Sequence, residues 1–281
     1  MENILKKKSF TVQSELGERR LDYAISFFTD LSRKEAREII ENGLVLVNGM
    51  RKTFPSTKVK KGDKIIILEY NKIPILYEPA ILYEDEQIII VNKPSGFLTE
   101  KIGREKGAAM NEILKNKDRN VYPVHRLDRE TSGVMVFAKN ENARDFLIEE
   151  FRSRKINKIY IGVVEGMLGQ KNGVLKGLIQ KTKEYAETHY EVMKILKNAT
   201  ILKLMPKTGR THQLRLQLAQ IGHPIIGDKK YYNIKKTKLF FHRQALHSYK
   251  INFVHPETKR WVSFTAPIPL DMKELIESLA R

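Results

Sequence analysis

HRLDRETSG, residues 125–133, leads directly into the apolar segment VMVFA, residues 134–138. The apolar segment carries no charge and is rich in valine and phenylalanine, which predicts a buried strand. The segment before it holds several charges, two neighbouring hydroxyls and a glycine, which predicts a loop that leads into the strand. We therefore expect a polar loop at the mouth of a strand in the core of the fold.

Asp128 is the residue of this loop whose surroundings best suit chemistry. It stands between Arg126 and Arg129, whose positive charges would favour the ionised form of its carboxyl group. An ionised carboxylate is what a carboxylate nucleophile needs. The alternative is a loop aspartate that caps a turn or pairs with a neighbour, and the loop alone does not decide between the two.

The loop resembles the catalytic-aspartate motif of the RluA-type pseudouridine synthases, and other motifs of that family follow in its order. They are Asp85-Glu86, Asn92–Gly96, Lys158-Ile159-Tyr160, Thr208–Arg215, Gly222–Pro224, Gly227-Asp228 and Leu246–Ser248. Each motif is weak alone, whereas the ordered set is specific. The resemblance implies an α+β fold, in which a catalytic domain over residues 80–281 has a mixed, mostly antiparallel sheet.

The resemblance implies an isomerase that detaches uracil from its ribose, turns it and rejoins it through carbon 5. Three residues carry this chemistry by resemblance. Asp128 attacks or stabilises the ribose, Arg210 pairs with that carboxylate, and Tyr160 stacks on the base and helps to remove the proton from carbon 5. The reaction involves no redox change, and the seven histidines show no metal-ligand spacing. We therefore expect no cofactor and no metal ion.

The substrate implied by the resemblance is a uridine in structured RNA, flipped into the pocket at a cost of a few kcal/mol. His125, Arg126 and Leu214 are expected to contact this substrate. Arg126 either inserts into the RNA to hold the flipped state or is a structural partner of Asp128. The basic and aromatic segment 229–243 either contacts phosphates and stacks on bases or forms a solvated loop.

The first part of the chain predicts a small RNA-binding domain over residues 14–72. Helical periodicity begins at Leu21, Ser32–Glu35 fits a capping box, and Asn48-Gly49 indicates a tight hairpin. This helix–helix–hairpin unit resembles the RNA-binding domain named after ribosomal protein S4. The residues expected to meet RNA phosphates are Arg33, Lys34 and Arg37, unless they form a solvated helix face. Residues 1–13 are expected to be a loosely ordered arm, and 71–79 a linker.

Composition agrees with an RNA partner. The formal charge is +18 and the pI is near 9.8, so a polyanionic partner is expected unless the excess only solvates the surface. The chain has no cysteine, which fits a reducing cytoplasm. Its N-terminus is unlike a signal peptide, and its apolar runs are too short to span a bilayer. We expect a cytoplasmic protein, and by resemblance a monomer.

Several functions compete. A glycoside hydrolase needs two carboxylates about 5–9 Å apart, and Glu130 lacks a supporting motif. A base-excising glycosylase would release uracil. A non-catalytic RNA-binding or ribosome-assembly protein would not keep Asp128, Tyr160 and Arg210 together. The sequence therefore favours an enzyme, acting on large-subunit ribosomal RNA or, alternatively, on transfer RNA.

Overall fold

The computed structural model describes residues 7–13, 18–41, 44–68, 80–103, 107–115, 120–179, 183–231, 239 and 241–280. They form two compact units. One comprises residues 1–79 with 96–119, and the other comprises residues 80–95 with 120–281. This division assigns residues 96–119 to the first unit, although the sequence placed them in the catalytic domain. The expected linker, 71–79, lies outside the described residues, and the bounds 14–72 and 80–281 stay predictions.

The first unit packs helices against a small antiparallel sheet. Its elements are β1 (Lys7–Thr11), α1 (Leu21–Phe28), α2 (Arg33–Glu41), β2 (Val45–Val47), β3 (Met50–Lys52), β4 (Lys64–Leu68) and α3 (Met110–Lys115). The strand order is β1-β4-β2-β3. Leu21, Ala24 and Ile25 of α1 and Ala36 and Ile40 of α2 share one buried apolar cluster with β2 and β4. The helical periodicity read from the sequence is therefore confirmed.

Local signals in this unit act as the sequence predicts, with one exception. Ser32 and Glu35 exchange the two hydrogen bonds of a capping box, at 2.8 and 3.3 Å. Asn48 and Gly49 both have positive φ, as a tight hairpin turn requires. The prediction of a loosely ordered arm over residues 1–13 is wrong for residues 7–11, because they form β1 and pair along the edge of β4. Residues 1–6 lie outside the described residues. Phe10 also packs on the core, which strengthens that pairing.

The second unit is a large mixed sheet with three helices among its described residues. Its strands are β5 (Ala80–Glu84), β6 (Ile88–Lys93), β7 (Tyr122–Pro123), β8 (Ser132–Ala138), β9 (Asn157–Glu165), β10 (Asn172–Ile179), β11 (Glu184–Leu196), β12 (Ala199–Pro206), β13 (Leu246–Val254) and β14 (Trp261–Thr265). Its helices are α4 (Glu141–Arg152), α5 (Gln213–Gln220) and α6 (Leu270–Ala280). The main path is β10-β11-β12-β9-β13-β8-β6-β5, with β14 on β13 and β7 on β8. Within the described ranges only β13 and β8 pair in parallel, which confirms the mixed, mostly antiparallel α+β fold.

Two apolar clusters fix the sheet relative to its helices. One contains Leu214 and Leu218 of α5 and Met272 of α6, and the other contains Ala143 and Leu147 of α4. Strand β8 is buried along its whole length, as its apolar sequence predicts. No helix in the described parts of the chain is long and apolar enough to cross a membrane.

The last residue of the loop 125–133, Gly133, occupies a position where a side chain does not fit. Its φ is +120°, and a Cβ there would lie 2.1 Å from the backbone oxygen of Ser248. Glycine therefore permits the close parallel pairing of β8 with β13, in which Ser248 lies opposite Gly133. Ser248 also lies opposite Tyr160 of β9 in the antiparallel register. The glycine thus helps to bring the Asp128 loop and Tyr160 to one region of the sheet.

Candidate active site

A cleft of about 520 Å³ lies at the end of β8, within the range of roughly 300–1,000 Å³ that is usual for small-ligand sites. Its wall is formed by the loop before β8, the end of α4 with the turn after it, strand β9, the end of β12 with the turn before α5, the start of α5, and Leu246 of β13. The basic side chains that line the cleft are Arg126, Arg152, Arg154, Lys158, Lys207, Arg210 and Arg215. Asp128 is the one carboxylate among its described lining residues. Such a cleft attracts an anionic substrate.

Asp128 is held at this cleft by Arg215. Nη1 of Arg215 donates to Oδ2 of Asp128 at 2.8 Å. The Asp128 side chain is 27% exposed, so one face of the carboxylate remains open to a ligand. The carboxylate is therefore both oriented and accessible, which is the arrangement that a nucleophile or an electrostatic stabiliser needs.

Arg215 is itself fixed by a second carboxylate, Asp228. Its Nε and Nη2 donate to the two oxygens of Asp228 at 2.6 and 2.9 Å, a bidentate pairing that fixes the guanidinium plane. Backbone N–H groups of Lys230 and Tyr231 also donate to Asp228. Burial by itself would lower the pKa of Arg215, but the bonds to Asp228 and Asp128 raise it above its usual value. Asp128, Arg215 and Asp228 therefore form one continuous charged network.

The pairing of Arg210 with Asp128, expected by resemblance, is wrong in this structure. Nη1 of Arg210 contacts Oε1 of Glu184 at 2.8 Å, so the side chain extends toward β11. The backbone N–H of Arg210 donates to the side chain of Gln213, which fixes the turn before α5. Arg210 lines the cleft, but the guanidinium that contacts Asp128 belongs to Arg215, five residues later.

Tyr160 lies on β9 and lines the same cleft as Asp128, as the sequence predicts. Burial and the charge of Asp128 raise the pKa of its hydroxyl, a hydrogen bond with Ser248 opposes them, and the net result is a pKa of about 12. The hydroxyl therefore keeps its proton at neutral pH. Its half-buried ring is available to pack against a base that enters the cleft.

His212 is a site residue to which the sequence analysis gave no role. Its Nε2 lies 3.8 Å from Oδ1 of Asp128, and its Nδ1 lies 2.9 Å from the hydroxyl of Tyr231. Its backbone adopts a left-handed conformation, with φ of 56°. The sequence signals were weak: a histidine in the turn before α5, and a tyrosine four residues after Gly227.

His125 lines the cleft but its hydrogen bond points inward. Its ring stacks on Phe151 at 4.7 Å, and its Nε2 accepts the N–H of Val136 at 3.0 Å. Burial, together with the charge of Lys158, lowers the pKa of His125 to about 3, so the ring is neutral. Burial also lowers the pKa of Lys158 to about 8. These contacts hold the wall of the cleft, and the expected substrate contact of His125 stays a prediction.

Two further residues that were expected to contact the substrate, Arg126 and Leu214, line the cleft. Arg126 is exposed at the cleft and Leu214 is buried in its wall, so both are placed to meet a ligand.

The basic and aromatic segment 229–243 is described only in part, because residues 232–238 and 240 lie outside the described residues. Arg243 is fully buried and pairs with Asp271, at 2.6 and 3.0 Å, so its expected position on a loop surface is wrong.

The residues expected to bind RNA in the first unit lie on an exposed helix surface. Asp22 is buried, and the guanidinium groups of Arg20, Arg33 and Arg37 lie 2.9, 3.5 and 2.9 Å from its carboxylate. Burial by itself would raise the pKa of Asp22, but the bonds from Arg20 and Arg37 lower it to about 2. Asp22 therefore stays ionised and holds Arg33 and Arg37 about half exposed, while Lys34 beside them is exposed.

A second catalytic carboxylate at Glu130, as a glycoside hydrolase would need, is not supported. Oε1 of Glu130 contacts the ammonium of Lys229 at 2.8 Å, and Oε2 accepts the backbone N–H of Gln244. Glu130 is also absent from the described lining of the cleft. Its contacts tie the loop before β8 to the segments around Lys229 and Gln244. Among the described residues, no group of three His, Asp or Glu side chains could hold a metal ion.

The fold places an accessible carboxylate, that of Asp128, in a cleft lined by basic side chains, which suits a polyanionic substrate. The sequence model of RNA pseudouridylate synthases matches residues 87–220, and that of the S4 domain matches residues 19–65. The chain belongs to the RNA pseudouridine synthases, and it is an isomerase with an N-terminal S4 domain.

Similar proteins support that assignment over nearly the whole chain. An uncharacterised RNA pseudouridine synthase of Bacillus subtilis, YlyB, is 32% identical, with 96% of this chain and 97% of that protein covered. Ribosomal large subunit pseudouridine synthase D of Pasteurella multocida is 34% identical, with 95% and 92% covered. The same-named protein of Escherichia coli is 34% identical, with 94% and 91% covered. The solved structure of human RNA pseudouridylate synthase domain containing 4 shares the fold, at a TM-score of 0.61 and 22% identity over 71% of this chain and 92% of that one.

Proposed function

We propose that this enzyme converts uridine to pseudouridine in structured large-subunit ribosomal RNA, with Asp128 as the nucleophile that attacks the ribose of a flipped uridine. The observation that carries the proposal is the contact between Asp128 and Arg215 in the lining of a basic cleft. The ribosomal substrate is supported by the names of the Pasteurella multocida and Escherichia coli relatives. A monomer in the cytoplasm stays a prediction.

The site residues divide the chemistry among them. Arg215 fixes the direction of the Asp128 carboxylate and offsets its charge. Tyr160 stacks on uracil in the cleft, and its protonated hydroxyl suits hydrogen bonding better than removal of the proton from carbon 5. Arg126 lines the cleft beside the nucleophile and meets the RNA strand from which the uridine is extruded. Arg210 contacts the RNA backbone once its bond to Glu184 is exchanged for a phosphate.

Release of tritium from RNA labelled at uracil carbon 5 tests the proposed function. Formation of a bond at that carbon must expel the label, so we expect release from large-subunit ribosomal RNA and none from transfer RNA. Free uracil should be absent, because the base is reattached. Release from transfer RNA alone would replace the proposed substrate, and accumulation of free uracil would show a glycosylase instead of an isomerase.

The S4 domain contributes RNA affinity in this proposal, through phosphate contacts of Arg33, Lys34 and Arg37. Lys34→Gln tests this most cleanly, because Arg33 and Arg37 are also tied to Asp22. The logarithm of the affinity falls with the logarithm of the salt concentration, and each lost phosphate contact makes this negative slope shallower by about 0.7–0.9. We therefore expect weaker RNA binding with a salt slope reduced by about one, measured by filter binding across salt concentrations.

The matched control for Lys34→Gln is Lys273→Gln, an exposed lysine on α6. It loses the same charge, so a global effect of net charge would appear in both variants. The single-turnover rate at saturating RNA should be unchanged in Lys34→Gln. Equal salt slopes for the two variants and the parent enzyme would contradict a phosphate contact at Lys34.

A further inference from the structure

Arg215 and His212, whose side chains face Asp128, both also contact Tyr231. The guanidinium carbon of Arg215 lies 5.2 Å from the centre of the Tyr231 ring, a cation–π distance. The Tyr231 hydroxyl lies 2.9 Å from Nδ1 of His212. The backbone N–H of Tyr231 donates to Asp228, the carboxylate that holds Arg215. Tyr231 therefore contacts Arg215, His212 and Asp228.

The charge of Asp128 favours one direction for the hydrogen bond between His212 and Tyr231. Nε2 of His212 faces the Asp128 carboxylate at 3.8 Å, too far for a direct hydrogen bond but close enough for electrostatic attraction. A proton on Nε2 is attracted by that carboxylate, whereas a lone pair on Nε2 would be repelled by it. In the neutral ring the proton therefore belongs on Nε2. Nδ1 is then an acceptor, and the hydroxyl of Tyr231 is its donor.

The tautomer and orientation of the His212 ring depend on a hydrogen-bond partner such as the Tyr231 hydroxyl. Burial lowers the pKa of His212; the charge of Asp128 opposes this, and Arg215 and Lys230 reinforce it, so the ring is neutral at pH 7. A neutral imidazole has two tautomers, and a neighbouring hydrogen bond selects one. The left-handed backbone at His212 is also a sparsely populated conformation that surrounding contacts must maintain.

We propose that Tyr231 is a positioning residue for pseudouridine formation: its hydroxyl holds His212 with Nε2–H toward Asp128, and its ring holds Arg215. The inference rests on the proposed role of Asp128 as nucleophile. Tyr231 acts through its neighbours, so its loss changes the geometry of the carboxylate and leaves the RNA-binding surface intact. A displacement of about 1 Å at a reacting group costs on the order of 100-fold in rate.

Two substitutions separate the functions of the ring and the hydroxyl. Tyr231→Phe keeps the ring against Arg215 and removes only the hydroxyl, so we expect the single-turnover rate on saturating RNA to fall about 10-fold. Tyr231→Leu removes both contacts, and we expect a fall of about 100-fold. RNA affinity should stay within about twofold for each variant, because phosphate contacts dominate binding. Tyr83→Phe is the matched control, since its hydroxyl bonds the side chain of Asp85 at 2.8 Å outside the cleft.

A spectroscopic readout distinguishes positioning from mere packing. Nitrogen-15 chemical shifts of the imidazole of His212, assigned by comparison with His212→Asn, report which nitrogen carries the proton. We expect the Nε2–H tautomer in the parent enzyme and a mixture of tautomers in Tyr231→Phe. Unchanged shifts in Tyr231→Phe, or a rate equal to that of the parent, would overturn the inference. A rate loss of similar size in Tyr83→Phe would overturn it too.

The same assays separate this inference from the proposed function. If Asp128→Asn is inactive and Tyr231→Phe is as active as the parent, only the role of Tyr231 is wrong. If Asp128→Asn stays active, the proposed nucleophile is wrong, and the inference fails with it. If Tyr231→Phe loses RNA affinity while its rate at saturation is retained, Tyr231 is an RNA contact and the positioning role is excluded.

Discussion

Asp128→Asn should lower the single-turnover rate of pseudouridine formation by at least about 10³-fold, since it removes the group that attacks the ribose. Asparagine has nearly the same shape, and its side-chain oxygen still accepts from Nη1 of Arg215. The variant should therefore fold normally. Its RNA affinity should change by less than about threefold, because affinity comes from contacts with the phosphate backbone.

Tritium release under single-turnover conditions and filter binding with the same labelled RNA measure the two quantities. Asp145→Asn on the exposed side of α4 is the control, because it changes the same charge outside the cleft. A large loss of RNA affinity in Asp128→Asn, with normal turnover of the RNA that still binds, would show that Asp128 is structural. Comparable losses in both variants would point to an effect of net charge.

Local and periodic features of this fold could be predicted from the sequence. The buried strand at 134–138, the capping box at Ser32–Glu35 and the Asn48-Gly49 hairpin each depend on neighbouring residues, and each is confirmed. Strand β1 could not be predicted in this way. Its polar sequence carries little signal, and it forms because β4 offers an open edge far along the chain.

Contacts within the site depended on information that the sequence does not carry locally. Both Arg210 and Arg215 lie near the start of α5, where the helix dipole disfavours a cation, so neither position is favoured electrostatically. In the folded chain Arg210 contacts Glu184 of β11 and Arg215 contacts Asp128, and both partners are distant in sequence. The sequence thus predicted an arginine from this motif and selected the wrong one.

The sequence also could not show which arginines pair with a carboxylate inside the fold and which are exposed to RNA. Arg243 belongs to a segment whose basic and aromatic composition suggested an RNA surface, yet it is buried against Asp271, 28 residues later. Arg33 and Arg37 were expected either to meet RNA phosphates or to form a solvated helix face, and nothing in the sequence indicated that both lie against buried Asp22. In each case a carboxylate distant in sequence determines where the guanidinium points, and only tertiary structure reveals that carboxylate.

Arg215→Met should have two effects that a second substitution can separate. It leaves Asp228, whose side chain is 1% exposed, as a buried charge without its guanidinium, which costs about 3–5 kcal/mol in the free energy of unfolding. It also frees the Asp128 carboxylate, and we expect the single-turnover rate to fall by about 10²-fold or more. Urea unfolding followed by the fluorescence of Trp261, the single tryptophan of the chain, measures the stability of the second unit.

The double variant Arg215→Met/Asp228→Asn removes the orphan charge while keeping an oxygen that can accept from the N–H groups of Lys230 and Tyr231. Most of the lost stability should therefore return, but the rate should stay low, because nothing restores the contact with Asp128. Arg210→Met is the complementary control. Its half-exposed bond to Glu184 is worth less than about 1 kcal/mol, and its rate should fall less than about tenfold. A larger rate loss in Arg210→Met than in the double variant would mean that RNA binding turns Arg210 toward Asp128, and that Arg215 orients the carboxylate only in the free enzyme.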